Sequence, residues 1–405
     1  MADDFLKKTL VFVLAGGQGE RLYPLTKDRS KPAVHFGGIY RIIDFSLSNC
    51  LNSDLRRIIV LTQYKSLSLD RHIKTAWNLY RRESGHFIDV VPPQQRFDSN
   101  WYLGTADAIF QNIYIIEHEK PEYIVVLSGD HVYKMDYKKL IEYHINKGAD
   151  MTIAAIETPV EEAKRFGVLQ TNADLQVTGF QEKPDNPAVV PGKDDTSYVS
   201  MGIYVFTTSK LVQYLSEDHK MDSSRDFGKD IIPRVYADEK VYAYDYVHNA
   251  KSHPYWKDIG TISSYFETHH DLVAISPELN LYDKEWPIRT YMEQWPPAKM
   301  VFNQEGRRGL AVNSIISNGA IISGSLVEDS VISPGVKVNS YSEIRKSIIL
   351  HGCRVGRHTR IQNAIIDKYN IISENEEIGF DLEKDRQRFT VTPEGIVVVP
   401  KGLLQ

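Results

Sequence analysis

The sequence predicts an α/β fold in two unlike parts, a Rossmann-like domain on a mixed sheet followed by a parallel β-helix. Three observations predict it. Short β-rich apolar runs alternate with longer amphipathic runs from residue 8 to about residue 275, the pattern of helices laid on a mostly parallel sheet. Beyond residue 310 aliphatic positions recur at five- or six-residue steps, a period that fits neither a helix nor an ordinary hairpin array. The length of 405 residues is about two to three times that of a usual domain, so two folding units are expected.

TLVFVLAGG, RRIIVLTQY and EYIVVLSGD read as buried strands, apolar on successive residues and running into polar or glycine-rich residues at their C-terminal ends. Residues 67–80, 106–117 and 137–147 carry apolar side chains at three- and four-residue spacing and are expected as helices on that sheet. VLQTNADLQVTGF reads as a hairpin turning at residues 172–174, which makes the second half of the sheet mixed. Residues 276–306 hold four prolines together with Trp286 and Trp295, the composition of a packed connector rather than a flexible linker. Residues 311–380 contain 22 Ile, Val or Leu but only three aromatics, Tyr341, Tyr369 and Phe380. The series Ile322, Val327, Ile332, Val338, Ile344, Ile349, Val355, Ile361, Ile366, Ile372, Ile378 is expected to point into a β-helix, one side chain per face. The expected division is therefore 1–275, 276–306 and 307–405.

Hydrophobic content of 42% and charged content of 25% are globular values. A net charge of −5 provides no basic footprint for coating a nucleic acid. Cys50 and Cys353 are the only cysteines, which excludes a disulfide framework and an all-cysteine zinc module. No secretory signal or 18-residue apolar run is present, so no membrane association and a cytoplasmic location are expected.

In open α/β sheets, ligands bind beyond the C-terminal ends of the strands. The first strand runs into LAGGQGERLYPLTKDRSKP. A glycine turn there brings backbone N–H groups close to phosphates. Leu22 stands where a dinucleotide fingerprint needs its third glycine, and no Gly-Lys-Ser/Thr follows as in a Walker loop. What remains is a glycine turn followed by Arg21 and Lys31, with Pro24 and Pro32 stiffening the loop between and after them. Asp130 ends the third strand, in LSGDHVY, and Asp258 precedes a glycine and a helix start, in YWKDIGT. Each carboxylate is either a helix cap or a ligand for a hard cation. In GFQEKP, Pro184 is expected to hold Lys183 extended, so that Lys183 and Glu182 point to opposite faces. The 13 histidines form no H-E-x-x-H spacing and no G-x-S-x-G elbow occurs.

Together these residues resemble the ADP-glucose pyrophosphorylases, the bacterial-type glucose-1-phosphate adenylyltransferase family. The GG-x-G-x-RL…PLT…KP signature is present as Gly16, Gly17, Gly19, Arg21, Leu22 and Lys31, and the likeness continues through PAVHFGG, RIIDFSLSNC, NWYLGTADAIFQN, SGDHVYKMDY, FQEKP, YVSMGIYVF, DFGKDIIP and YWKDIGT. It covers almost the whole chain. The resemblance implies a nucleotidyltransferase domain followed by a C-terminal left-handed parallel β-helix. It implies AMP transfer from ATP to glucose 1-phosphate, giving ADP-glucose and pyrophosphate, with Mg²⁺ held by Asp130 and Asp258.

By the same resemblance Arg21 and Lys31 lie along the ATP phosphates, and Leu14, Ala15, Gly16, Gly17 and Gln95 lie near the adenine. Tyr102, Gly167, Glu182, Lys183 and Ser200 match the glucose 1-phosphate site. Family members are typically homotetramers regulated by small phosphorylated effectors, for which Arg29, Lys368 and Lys401 are the matching residues. Asp28 stands where enteric-type members carry a basic residue, which leaves fructose phosphates and a phosphoglycerate both open as activators. The alternatives are another sugar-1-phosphate nucleotidyltransferase, a non-catalytic subunit of the same family, and an acyltransferase whose base is His351 or His358.

Overall fold

The structure is a computed structural model that describes residues 4–94, 101–249 and 254–404. Its first part contains β1 (Thr9–Ala15), β2 (Arg57–Thr62), β3 (Phe87–Val91), β4 (Tyr123–Ser128), β5 (His131–Tyr133), β6 (Met151–Pro159), β7 (Gly167–Thr171), β8 (Val177–Glu182), β9 (Thr196–Thr207), β10 (Val241–Asp245) and β11 (Trp256–Asp258). The principal helices are α1 (Ile43–Asn52), α2 (Leu67–Ala76), α3 (Thr105–Phe110), α4 (Ile113–Glu119), α5 (Tyr137–Lys147), α6 (Thr208–His219) and α7 (Ile262–Val273). The sheet order is β8-β7-β9-β4-β1-β2-β3, with β6 paired to β9 and β10 to β6.

Side chains alternate across a strand, and β1 shows why its run is apolar throughout. Leu10 and Phe12 enter one core with α3, α4 and α6, while Val11 and Val13 enter the other with α1, α2 and α5. β1, β2, β3 and β4 are parallel, so their C-terminal ends share one edge. β9 joins β4 antiparallel, which makes the sheet mixed. The hairpin forms as expected between β7 and β8. Asn172 Oδ1 holds its turn by accepting from the N–H groups of Asp174 and Gln176 at 3.0 and 2.9 Å.

Two helices differ from expectation. The helix expected over 67–80 stops at Ala76, where the Trp77 indole donates to buried Asp44 at 2.8 Å. The one expected over 106–117 divides into α3 and α4. At the break, the Asn112 amide donates to Ala108 O and to Tyr102 OH, a side-chain competitor to the helical backbone ladder.

From Lys299 onward the chain winds into three sheets, parallel except where Thr390–Val391 pairs antiparallel with Val397–Val399 at the end of one. The inward columns are Ile322, Val338, Val355, Ile372; Val327, Ile344, Ile361, Ile378; and Ile332, Ile349, Ile366, Val399, each residue in register with the next. Corners take left-handed backbone, as at Asn313, Asp329, Lys346 and Asn363 with φ of 45°, 47°, 41° and 48°. One corner carries Gly319 and Gly335, left-handed too at φ 74° and 69°, for a second reason. A Cβ there would lie 2.6 and 3.1 Å from the ring of Trp295, which the connector lays across them.

The connector is packed at its other end too, since Trp286 Nε1 donates to Asn49 Oδ1 of α1 at 2.8 Å. A shared apolar core then joins the two parts, with Leu22, Phe36, Phe45 and Phe266 against Val331, Ile348, Ile365 and Val398. Among the described residues no helix is long and apolar enough to cross a membrane.

Candidate functional site

The site is built at the shared strand edge. After β1 the chain turns through Gly16 and Gly17 into a short 3-10 turn, Glu20–Leu22. Gly19 has φ 66°, and a Cβ on it would sit 2.8 Å from Lys31 Cβ. Only glycine fits where the loop doubles back so tightly. Thr26 Oγ1 closes that loop by donating to Gly19 O at 3.0 Å. Lys31, 6% exposed, is thereby brought beneath the glycine turn.

Asp130, near the middle of the domain's sequence, and Asp258, near its end, come to one point. β5 and β11 pair antiparallel with His131 opposite Asp258, and Asp130 is the residue before β5. Lys31 Nζ bridges the two carboxylates, 2.8 Å from Asp130 Oδ2 and 2.8 Å from Asp258 Oδ1. Neither carboxylate caps a helix: Asp130 leads into a strand, and α7 is capped by Thr261 and Ser264 in a capping box. Burial alone would raise the Asp130 carboxyl, but the neighbouring Lys31 and His131 overcome it and hold the group at about 2. Burial likewise opposes the Lys31 charge, yet Asp130 and Asp258 raise its pKa. Arg21 completes the group, because a Cβ on Gly260 would lie 3.1 Å from both Arg21 Nη2 and Asp258 Oδ2.

Leu14 and Ala15 end β1, and Leu14 O accepts from the N–H of Gly129 at 3.0 Å. Gln95 lies outside the described residues. Tyr102 is buried, its hydroxyl accepting from Asn112 at 2.9 Å and its carbonyl from Gln63 at 3.3 Å. A Cβ on Gly16 would in turn meet Gln63 Cβ at 3.0 Å, so Gln63 joins Tyr102 to the glycine turn. Ser200 lies at a register shift in β9, where Gly202 N–H donates to Ser200 Oγ at 3.3 Å. Gly167 packs so closely on Phe180 that a Cβ would lie 2.4 Å from its ring, and Glu182 Oε2 is near the same spot at 3.1 Å.

Lys183 corrects the expectation of an extended residue opposed to Glu182. Its φ is 47°, and its Nζ donates to Glu182 Oε1 at 2.7 Å, so the two side chains meet. The backbone reason is that Lys183 N–H donates to Phe166 O at 3.1 Å, extending the β7–β8 pairing to the point where the chain turns. A following proline disfavours the right-handed helical region and leaves this left-handed solution open.

Sequence reasoning missed three neighbours. His131 adjoins both carboxylates, with Nε2 3.6 Å from Asp130 Oδ1 and 3.8 Å from Asp258 Oδ1. Asp226 accepts from Thr105 Oγ1 at 3.0 Å and lies beside Glu182 across Gly228. Gln63, described above, is the third. Adjacency to Asp130 was the one available signal for His131; Asp226 and Gln63 are reached only through tertiary pairing.

Arg29, Lys368 and Lys401 form a separate group at the junction of the two parts. Arg29 Nη2 donates to Asp367 Oδ2 at 2.5 Å, both side chains being buried. Burial, then the charges of Arg29, Arg41 and, more weakly, Lys401, lower the Lys368 ammonium to about 8. Burial, then the charges of Lys368, Arg41 and Arg29, push His35 well below its usual range. A cavity of about 110 Å³ lined by His35, Arg41, His72, Trp295 and His351 opens beside them.

The donor set at the strand edge fits a hard divalent cation: two carboxylates and one imidazole whose candidate ligand atoms all lie within 4.8 Å of one another. Comparison with known proteins is consistent with this chemistry. The nucleotidyl transferase family model matches residues 10–274, and a GlmU-like C-terminal hexapeptide model matches residues 296–399. A glucose-1-phosphate adenylyltransferase of Rhodopirellula baltica is 53% identical over 407 residues, covering 99% of this chain and 91% of the relative. Relatives of the same description from Hydrogenovibrio crunogenus and Methylococcus capsulatus are 52% and 50% identical, covering 100% and 98% of this chain and 96% and 94% of their own.

Proposed function

The chain belongs to the glucose-1-phosphate adenylyltransferase family, and from that membership we propose how its strand-edge site makes ADP-glucose and pyrophosphate from ATP and α-D-glucose 1-phosphate, the committed step of glycogen or α-glucan synthesis. The observation that carries the reading is Lys31 held between Asp130 and Asp258 beside the glycine turn. A phosphate oxygen of glucose 1-phosphate attacks the α-phosphorus of ATP, the bond from that phosphorus to the bridging oxygen breaks, and pyrophosphate leaves with the electron pair. The attacking oxygen is already anionic, so no general base is needed. Catalysis is alignment and charge neutralisation.

Arg21 and Lys31 lie along the triphosphate, and the backbone of residues 14–17 with Gln95 borders the adenine. Lys31 suits its task because a point charge on a long unbranched stem can leave the carboxylates and follow a phosphate. Tyr102, Gly167, Glu182, Lys183 and Ser200 receive glucose 1-phosphate, with Lys183 on its phosphate and Glu182 on a hydroxyl. The family uses a divalent cation; we assign Mg²⁺, held by Asp130 and Asp258. Bound there, it neutralises charge on the reacting phosphates.

Residues 1–275 act as the catalytic domain, 276–306 as connector, and 307–405 as the assembly and regulatory domain. The cations Arg29, Lys368 and Lys401 suit small phosphorylated effectors bound between the two parts. Exposed Met300, Phe302, Leu310 and Val312 at the open first coil of the β-helix support an assembly surface, and we assign the assembly as a homotetramer. Two free, buried cysteines fit a reducing, cytoplasmic setting.

The test is pyrophosphate release from glucose 1-phosphate with ATP, UTP, GTP or dTTP and Mg²⁺, repeated with fructose 1,6-bisphosphate, fructose 6-phosphate, 3-phosphoglycerate, pyruvate, AMP and phosphate. ATP alone should support rapid turnover. A preference for another nucleotide would replace this reading with its nearest rival, and no turnover with any would favour a non-catalytic subunit.

A further inference from the structure

We propose that His131 Nε2 is a third protein donor to the divalent cation, and that this nitrogen makes the site hold Mn²⁺ more tightly than Mg²⁺. The proposal rests on the cation assignment made above for Asp130 and Asp258, and goes beyond it in naming the donor that sets metal preference.

Four observations carry it. First, register: β5 pairs with β11 so that His131 is directly opposite Asp258, while Asp130 adjoins it in sequence. Both neighbours of the imidazole are therefore fixed by backbone. Second, distance: Nε2 is 3.6 Å from Asp130 Oδ1 and 3.8 Å from Asp258 Oδ1. Donors placed about 2.0–2.2 Å from a common ion are separated by roughly 3 to 4.4 Å, so these spacings accommodate one ion. As hydrogen bonds the same spacings are too long.

Third, availability: Nδ1 is buried with no hydrogen-bond partner among the described residues. Buried polar atoms are ordinarily satisfied, and among the described residues neither nitrogen makes a hydrogen bond, Nε2 having just the two longer carboxylate contacts. Fourth, restraint: the ring stands edge-on to Trp256, centroids 5.3 Å apart at 84°, and a Cβ on Gly202 would lie 3.6 Å from its Cε1. The imidazole is thus held in place without being hydrogen-bonded there.

The chemistry decides the preference. Mg²⁺ favours oxygen donors and retains its water; Mn²⁺ shares that liking for carboxylates but, as a member of the transition-metal affinity series, gains more than Mg²⁺ from an added imidazole nitrogen. Two carboxylates alone would discriminate little between these ions. Adding one imidazole favours the transition metal. Lys31 must release the carboxylates as the ion enters, which its unbranched stem permits.

The experiment titrates Mn²⁺ into the full-length protein without nucleotide, reading free Mn²⁺ by electron paramagnetic resonance and then competing it with Mg²⁺. Wild type should bind Mn²⁺ about tenfold or more tighter than Mg²⁺. His131→Asn should bring the ratio to within about twofold of unity, and Asp258→Asn should weaken both ions. Should the His131 variant fail to fold, pulsed measurement on Mn²⁺-loaded wild type must still show modulation from a directly bound ¹⁴N. An unchanged Mn²⁺:Mg²⁺ ratio in the variant, no measurable Mn²⁺ binding by wild type, or no nitrogen coupling overturns the proposal. ADP-glucose formation is assayed with Mg²⁺ on the same wild-type preparation. Its presence alongside a failed nitrogen test removes only His131, and its absence removes the functional reading independently of metal preference.

Discussion

Arg29 and Asp367 form an ion pair across the junction of the two parts, 2.5 Å from Nη2 to Oδ2, with side chains 3% and 1% exposed. Arg29 stands two residues before Lys31 on the loop that supplies the catalytic lysine, and Asp367 adjoins Lys368 on the β-helix. A single charge pair therefore links the catalytic loop to the cationic junction. Removing one partner of such a pair strands the other, at a cost of about 3–5 kcal/mol. Arg29→Ala should lower the midpoint of thermal unfolding measurably, and Arg29→Ala with Asp367→Asn should recover much of the loss. Equal losses in the single and double variants would show that the stranded charge is not the cause.

Lys368 should confer a pH dependence of stability. Its ammonium is lowered to about 8 from an ordinary 10.5, by burial and then by Arg29 and Arg41. Between these two values the unfolded chain retains a proton that the fold does not, so this group makes stability rise with pH across about 8 to 10.5. Below pH 8 both states are protonated, and the fold bears the full cost of the confined cation. Denaturant midpoints at pH 7.5 and 9.5 should show a rise in wild type that Lys368→Met lacks. Sulfate, which favours the charged form, should bind more weakly at the higher pH. A pH dependence identical in wild type and variant would refute the assignment.

Gly19→Ala should damage turnover more than folding. The left-handed backbone there costs an alanine roughly 1–2 kcal/mol, and the new methyl would press on Lys31 Cβ at 2.8 Å. The kcat with ATP should fall at least tenfold while the unfolding midpoint drops only a few degrees. Full turnover with a lowered midpoint would confine Gly19 to loop structure.

Lys183→Ala should raise the KM for glucose 1-phosphate far more than that for ATP. The side chain is 60% exposed and pairs with its neighbour Glu182, so stability should stay within about 0.5 kcal/mol. Equal effects on both KM values would take Lys183 out of the sugar-phosphate site.

The parts legible in the sequence are those whose cause is local or periodic. The apolar run of β1 follows from burial on both faces, and the inward series from Ile322 to Ile378 follows from a repeat imposed by stacking. Convergence of Asp130 and Asp258 was not legible, because it depends on three-residue strands 123 residues apart at their nearest described ends, Tyr133 and Trp256. Such strands carry no detectable period. His131 escaped notice because histidine spacing reports only ligands on one element. Lys183 departed from expectation because the hydrogen bond to Phe166 O is tertiary. The break between α3 and α4 was hidden for a similar reason, since Asn112 finds its partner on Tyr102.

The Lys31 bridge also sets a schedule for biosynthesis. Asp130 leaves the ribosome 111 residues after Gly19, and Asp258 follows a further 128 residues later. At about 5–20 residues per second that interval is roughly 6–26 s. During it Lys31 has one carboxylate rather than two, and β5 lacks the partner strand that orients His131. A nascent chain thus acquires its β1–β2 framework well before it acquires its chemistry, and a ribosome stalled anywhere in that interval holds a chain with no assembled centre to bind nucleotide productively.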